Sequence, residues 1–283
     1  MQTLSIFTTM TDPESRNDAW REALECYQDL ADEVVIVGEK WPEEFSWEYI
    51  GQVFQEGLDL CNSDWVIRMD IDYFFHENDF KKIRKALLRF KDYPVVSFPQ
   101  YQFFTPERYQ LKTRLCVAFN KSKFPNIKLN GGGDLTLATL NGELINPKKV
   151  PNLYVPIYQY ESIFRTKNII ENDRARFARA WKNYFGNYGD RGGESKEEAF
   201  NAWFEMVKDR YPKHNFRMKI SNHPKYIRER LENINKEQFG YNAFGLKEKN
   251  KISMNNHLKG LREKYVNHLL LKRFHFFNFK TII

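Results

Sequence analysis

The densest chemistry in the chain sits in SDWVIRMDIDYFF, residues 63–75, where an apolar run breaks on Asp70 and Asp72. The two aspartates flank one residue. In an extended strand alternate side chains share a face, so both carboxylates would address one ion while Ile71 points the other way. Carboxylates together with phosphate oxygens suit a hard cation, Mg²⁺ or Mn²⁺. A cation held there offsets the charge on a diphosphate leaving group as its bond breaks. The competing reading is a loop whose carboxylates cap a helix start near Asn78.

Other groups add to this set. Asp134 follows Gly131, Gly132 and Gly133, a backbone that can approach a ligand closely and present a carboxylate beyond it. It is the candidate general base, with Asp173 and Glu161 as rivals. Otherwise it is a turn carboxylate ahead of Leu135-Thr136-Leu137. Arg165 and Lys167 are candidates to meet phosphate, whereas Arg174, Arg176 and Arg179 read first as solvated helix residues and second as helpers in phosphate binding. Tyr158, Tyr160, Trp181 and Tyr184 read as core before they read as stacking surfaces. GNYGDRGGES, residues 186–195, is either a mobile lid or an ordinary surface loop.

The elements that must position these groups follow from periodicity. Leu4–Thr9 predicts a first strand and Thr11-Asp12-Pro13 a turn, with Pro13 placed for a helix start ahead of the apolar spacing from Asn17 to Leu30. Val34–Val37, closed by Gly38, predicts a second strand; Tyr49–Leu60 a helix; SDWVIRMDID a third strand; Asp79–Phe90 a helix; VVSFPQ a fourth strand. Short apolar strands alternating with amphipathic helices predict a mostly parallel sheet covered on both faces, with ligands beyond the carboxyl ends of the strands. No GxGxxG or GxxxxGK[ST] occurs, which excludes a dinucleotide fingerprint and a P-loop. Further on, Lys112–Phe119 predicts a strand, residues 143–163 loops and short edge strands, and Asn168–Tyr184 and Lys196–Arg210 helices. His223-Pro224 precedes another helix, and a last one runs near His257–Leu271.

LSIFTTM, NDAWREALECYQDLADEVVIVGE and FQEGLDLCNSDWVIRMDIDYFF resemble the nucleotide-sugar-binding half of GT-A fold glycosyltransferases, broadly the family 2-like group. The resemblance covers residues 3–98. It implies an α/β, GT-A-like, mostly parallel sheet flanked by helices in a single domain over residues 1–245. Residues 1–100 would be the nucleotide-binding half and 101–245 the acceptor-side half, followed by a basic, aromatic C-terminal extension at 246–283. Asp70 and Asp72 match the family's Asp-x-Asp. Glu39 is the nearest match to the acidic residue that holds the nucleoside after the second strand, although it follows Gly38. His223, in NHPKY, is similar to the late histidine that completes the metal site; from composition alone it reads as a turn residue. The implied donor-binding set is Thr8, Glu39, Asp70, Arg165 and Lys167, and the implied metal set is Asp70, Asp72 and His223 with Mn²⁺ or Mg²⁺. The implied reaction moves a sugar from a nucleotide-diphosphate donor to a hydroxyl, on a glycan or glycolipid. The alternatives are a DNA glycosyltransferase acting on a hydroxylated base, a sugar nucleotidyltransferase, and a non-catalytic glycan-binding module. A nucleotidyltransferase should carry a glycine-rich basic loop after the first strand, and TTMTDPESRND lacks it.

The bounds fit such a domain. The chain has 283 residues, of which 24 are Phe, 15 Tyr and 6 Trp, enough to build a sizeable core. Cys26, Cys61 and Cys116 are widely spaced and odd in number, which predicts a reducing compartment and no disulfide framework. The N-terminus reads as a strand and not as a signal peptide, and no apolar run is long enough to span a bilayer. The expected location is cytoplasmic, or peripheral at the inner membrane face. Residues 247–283 hold nine of the 44 Lys and Arg but two of the 37 Asp and Glu, so this segment carries the whole net +7. It is a candidate for an anionic membrane surface or, less readily, a nucleic-acid backbone; the plain reading is a terminal helix and strand packed on the body, basic face outward.

Overall fold

The computed structural model describes residues 2–39, 41–129, 137–252 and part of 254–265. Its strands are β1 (Leu4–Thr9), β2 (Glu33–Val37), β3 (Trp65–Arg68), β4 (Tyr73–Phe74), β5 (Val95–Thr105), β6 (Arg108–Asn120), β7 (Ile127–Leu129), β8 (Ala138–Leu140), β9 (Glu143–Leu144), β10 (Ile157–Gln159) and β11 (Phe216–Arg217). The longer helices are α1 (Trp20–Leu30), α2 (Trp47–Leu60), α3 (Phe80–Arg89), α4 (Lys167–Phe185) and α5 (Lys196–Arg210).

Eight strands form one sheet in the order β2-β1-β3-β6-β5-β10-β4, with β11 beside β6. β1 pairs in parallel with β2 and β3, and β5 with β10. β6 runs against β3, β5 and β11, and β4 against β10. All strands but β4 and β6 therefore point one way, and the architecture is the expected α/β one, consistent with a GT-A-like domain. Strands from both halves of the chain share this sheet, and β7, β8 and β9 form a separate small one.

Alternation along the strands sorts the core. Leu4 and Ile6 of β1 and Trp65 and Ile67 of β3 face α1, which supplies Ala23, Cys26, Tyr27 and Leu30. Phe7 and Val66 face the other way, onto Ile50, Val53, Phe54 and Leu58 of α2. Gly57 permits the closest approach: a Cβ there would lie 2.3 Å from the Phe7 ring.

Three expectations shift. α1 starts at Trp20 because Asn17 takes a left-handed φ of 53°; Pro13 lies in the expected turn and does not start the helix. The fourth strand is 11 residues long and turns at Pro106-Glu107 into β6, a long hairpin that absorbs Tyr101, Phe103, Phe104 and Tyr109. β3 stops at Arg68, so the aspartate pair is not on a strand. The helix over 196–210 matches its expected bounds, fixed by a capping box between Ser195 and Glu198. Among the described residues no helix is long and apolar enough to cross a membrane.

Candidate functional site

β3 ends with its ladder to β1 still closing: Met69 N–H donates to the Phe7 carbonyl at 3.0 Å. The chain then turns through Asp70-Ile71-Asp72-Tyr73, with Tyr73 N–H donating to Asp70 O at 2.8 Å. The two aspartates thus sit in a tight turn, and strand alternation is not what brings them together. Both still line one cleft of about 690 Å³ at the carboxyl ends of β1 and β3.

Asp70 has a buried partner. Arg68, 2% exposed, holds Asp70 Oδ1 with Nη1 at 2.9 Å while its guanidinium lies 4.5 Å over the Phe54 ring. Its Nη2 is buried without a hydrogen bond among the described residues. Arg68 escaped the sequence reading; its signal was an arginine ending an otherwise apolar strand next to two aspartates.

Asp72 is electrostatically different. Burial, then the charges of Asp70 and Glu161, push its carboxyl up to about 7, against a pull from Arg165. Among the described residues no group hydrogen-bonds this carboxylate, although Asp72 O accepts from Tyr160 N–H at 3.0 Å. A neighbouring cation would restore its ionised form.

Beside the turn lies a closed ring of ions. Arg165 donates to Asp18 Oδ1 from Nε and Nη2 at 3.0 and 2.6 Å, and to Asp173 Oδ2 from Nη1 at 3.0 Å. Arg16 completes the ring through Nε to Asp18 Oδ2 at 3.0 Å and Nη1 to Asp173 Oδ1 at 2.8 Å. Burial raises the Asp173 carboxyl, but Arg16 and Arg165 outweigh it and hold the group below the usual carboxylate range. The ring joins the loop after β1 to α4, and its members line the cleft.

The rest of the cleft divides into a polar floor and an apolar wall. Glu161 accepts from Gln102 Nε2 at 2.8 Å and Arg174 Nη2 at 3.1 Å. The Oε1 atoms of Gln102 and Gln159, and Nε of Arg174, are buried without hydrogen-bond partners among the described residues. Trp41, Phe54 and Phe177 form the wall. Arg174 is therefore a cleft residue and not a solvated one, while Arg176 and Arg179 bind the 42–44 segment.

The remaining sequence candidates scatter. Arg165 lines the cleft with all three nitrogens engaged by aspartates. Thr8 is fully buried in β1 and Glu39 is exposed; neither lines the cleft. Lys167 pairs with Glu171 at 3.1 Å and lies 4.9 Å over Phe200, also away from it. His223 is buried, with Nδ1 2.7 Å from Tyr160 Oη and Nε2 2.9 Å from the Pro106 carbonyl. A carbonyl only accepts, so Nε2 carries the proton and Nδ1 accepts from the phenol; burial pushes this imidazole down to about 4. The structure does not bring His223 to the aspartates. Asp134 lies outside the described residues; Leu137, just after it, lines the cleft. Tyr158 and Tyr160 are core, and Tyr184 is exposed. No described residue of the 186–195 loop lines the cleft, and Arg191 stacks 4.2 Å from Trp181.

Comparison with known proteins gives a loose match in structure alone. The S. aureus TarS structure covering residues 1–349 matches over 94% of this chain and 92% of its own, at 9% identity and a TM-score of 0.33. A crystal structure of that segment with UDP-GlcNAc gives the same figures. For a longer TarS chain the TM-score is 0.35 and identity 10%, and this protein spans about half of it, 54%. No protein-family model matches the sequence, and no curated protein does. A superposition this loose carries nothing about the chemistry of the cleft.

That chemistry follows from its own groups. Among the described residues no cluster of three or more His, Cys, Asp or Glu is arranged around a metal position. Two carboxylates remain, Asp70 and Asp72. One or two carboxylates, with water and phosphate oxygens, are an ordinary donor set for Mg²⁺. The residues therefore fit a cation that arrives with a phosphorylated ligand better than one held by protein alone.

Proposed function

We propose that this protein is a glycosyltransferase that moves a sugar from a nucleotide-diphosphate donor to a hydroxyl acceptor, on a glycan or glycolipid. The observation that carries the reading is the Asp70–Tyr73 turn at the strand ends, opening on the cleft with one carboxylate that no described residue hydrogen-bonds. Asp70 and Asp72 would hold Mg²⁺ or Mn²⁺, which when bound offsets the negative charge of the departing diphosphate. Arg68 adds a buried cation beneath the same spot, with one amino group left to donate to an anionic oxygen. The amide oxygens of Gln102 and Gln159 accept from sugar hydroxyls, and Trp41 and Phe177 offer the apolar surface a base requires. Asp134 takes the acceptor proton, with Glu161 as the rival within the described cleft. His223 is left out of the metal set because both ring nitrogens are engaged elsewhere.

A thermal-shift panel of nucleotide sugars with and without Mn²⁺ tests the reading. One donor should stabilise the wild type selectively when Mn²⁺ is present, and Asp72→Ala should lose that response. No stabilisation by any donor under either condition would sink it. With the donor known, loss of the base lowers kcat by a factor on the order of 10² to 10⁴ while KM holds. Asp134→Asn and Glu161→Gln then identify which carboxylate it is.

A further inference from the structure

Residues 254–265 are helical where they are described. Met254, Leu258, Leu261 and Tyr265 recur at the spacing of one helix face, and all four are exposed, at 73, 56, 49 and 66%. Among the described residues, four of the eleven large exposed hydrophobics fall on this single stripe. The helix does not need the stripe to hold it on the body. It is seated by another face, where Gly260 is buried and a Cβ would meet that of Asn215 at 3.0 Å.

Charge selects the occupant. The segment 247–283 carries +7 while the other 246 residues hold 35 groups of each sign. A second copy would bring the same positive charge against this one, which opposes self-association. A nucleic-acid backbone would meet the charge but leave Met254, Leu258 and Leu261 in water. An anionic bilayer meets both. The sequence beyond 265 continues the mixture, with Leu269, Leu270, Leu271, Phe274, Phe276, Phe277 and Phe279 around Lys272, Arg273 and Lys280.

We propose that this face docks on an anionic lipid surface, the apolar stripe at the acyl boundary and the basic side chains among the headgroups. The inference stands apart from the glycosyltransferase reading. The test is flotation of the full chain with phosphatidylcholine vesicles, with and without phosphatidylglycerol. The protein should float with the anionic vesicles only, and added salt should release it. Leu258→Asp with Leu261→Asp should abolish flotation with an unchanged circular-dichroism melt, since both side chains are exposed. Lys251→Gln with Arg262→Gln, both exposed, should lower partitioning by about 25-fold, about fivefold for each charge. Equal binding to neutral vesicles, or binding to neither, overturns the proposal. So does a lipid-free dimer that the Leu258→Asp, Leu261→Asp variant dissolves. Binding to duplex DNA that survives that variant, with none to vesicles, also overturns it.

Discussion

The phenol oxygen of Tyr27 lies 2.8 Å from the carbonyl oxygen of Asp70, and the same hydroxyl is 2.9 Å from the carbonyl of Tyr73. One proton is thus shared between the two ends of the acidic turn. Helix α1, buried against β1 and β3, thereby fixes where that turn stands. Tyr27→Phe keeps the ring and removes only the staple. It should cost about 1–2 kcal/mol in chemical denaturation. It should also raise KM for the donor several-fold, because the turn is released while both carboxylates remain. An unchanged KM beside the lost stability would leave Tyr27 a purely structural residue.

Asp72 should impose a pH signature. Its folded-state pKa, about 7, lies above the ordinary carboxylate value, so the folded protein keeps a proton that the unfolded chain has lost. The stability this contributes is complete below about pH 4 and disappears as pH rises through 7. Wild type minus Asp72→Asn, measured by denaturation across that window, should therefore decline with pH by on the order of 2 kcal/mol, allowing for partial exposure of the group. Affinity for Mn²⁺ with a nucleoside diphosphate should weaken by about tenfold per pH unit below 7. A flat difference curve would remove Asp72 from both roles.

His223 separates two readings in one experiment. His223→Ala strands the Tyr160 hydroxyl and the Pro106 carbonyl in the interior, at a cost of roughly 2–4 kcal/mol. The donor-dependent Mn²⁺ shift should survive in the fraction that folds. If the cation response vanishes at unchanged stability, His223 is a ligand after all.

The ion ring makes a non-additive prediction. Arg165→Met should destabilise by about 3–5 kcal/mol, since Asp18 and Asp173 stay buried with Arg16 alone to answer them. Arg165→Met with Asp173→Leu should recover part of that loss, because it removes a carboxylate along with its partner. A double-mutant cycle in urea reads the coupling, and simple additivity would show that the ring is not a unit.

Much of the first hundred residues was legible because local signals there agree with the fold. β1, α2, β3 and α3 carry their own periodicity there, and beyond them α5 carries its capping box. The acidic turn was misread as strand because Ile71 continues an apolar alternation; the bond that closes the turn, Tyr73 to Asp70, is written in backbone geometry and not in residue type. The ring of Arg16, Asp18, Arg165 and Asp173 was illegible for another reason. Its partners lie up to 157 positions apart, and nothing local distinguishes an arginine that meets phosphate from one that meets two buried aspartates. β5 and β6 were legible only in part, as VVSFPQ and Lys112–Phe119, because the aromatic residues between them sit in a polar stretch without clean alternation.

Tyr160 spends its amide on Asp72 and its hydroxyl on His223, and His223 in turn grips Pro106 at the tip of the hairpin. The next two residues there hold the far end of the chain: Glu107 pairs with Lys247 at 2.7 Å, and Arg108 bonds the carbonyl of Asn250. The C-terminal segment is therefore bolted to the brace that steadies the acidic turn. Cutting the chain ahead of Lys247 would take out a strut as well as a tail, and a truncated protein would make a poor stand-in for the intact one in any assay of the cleft.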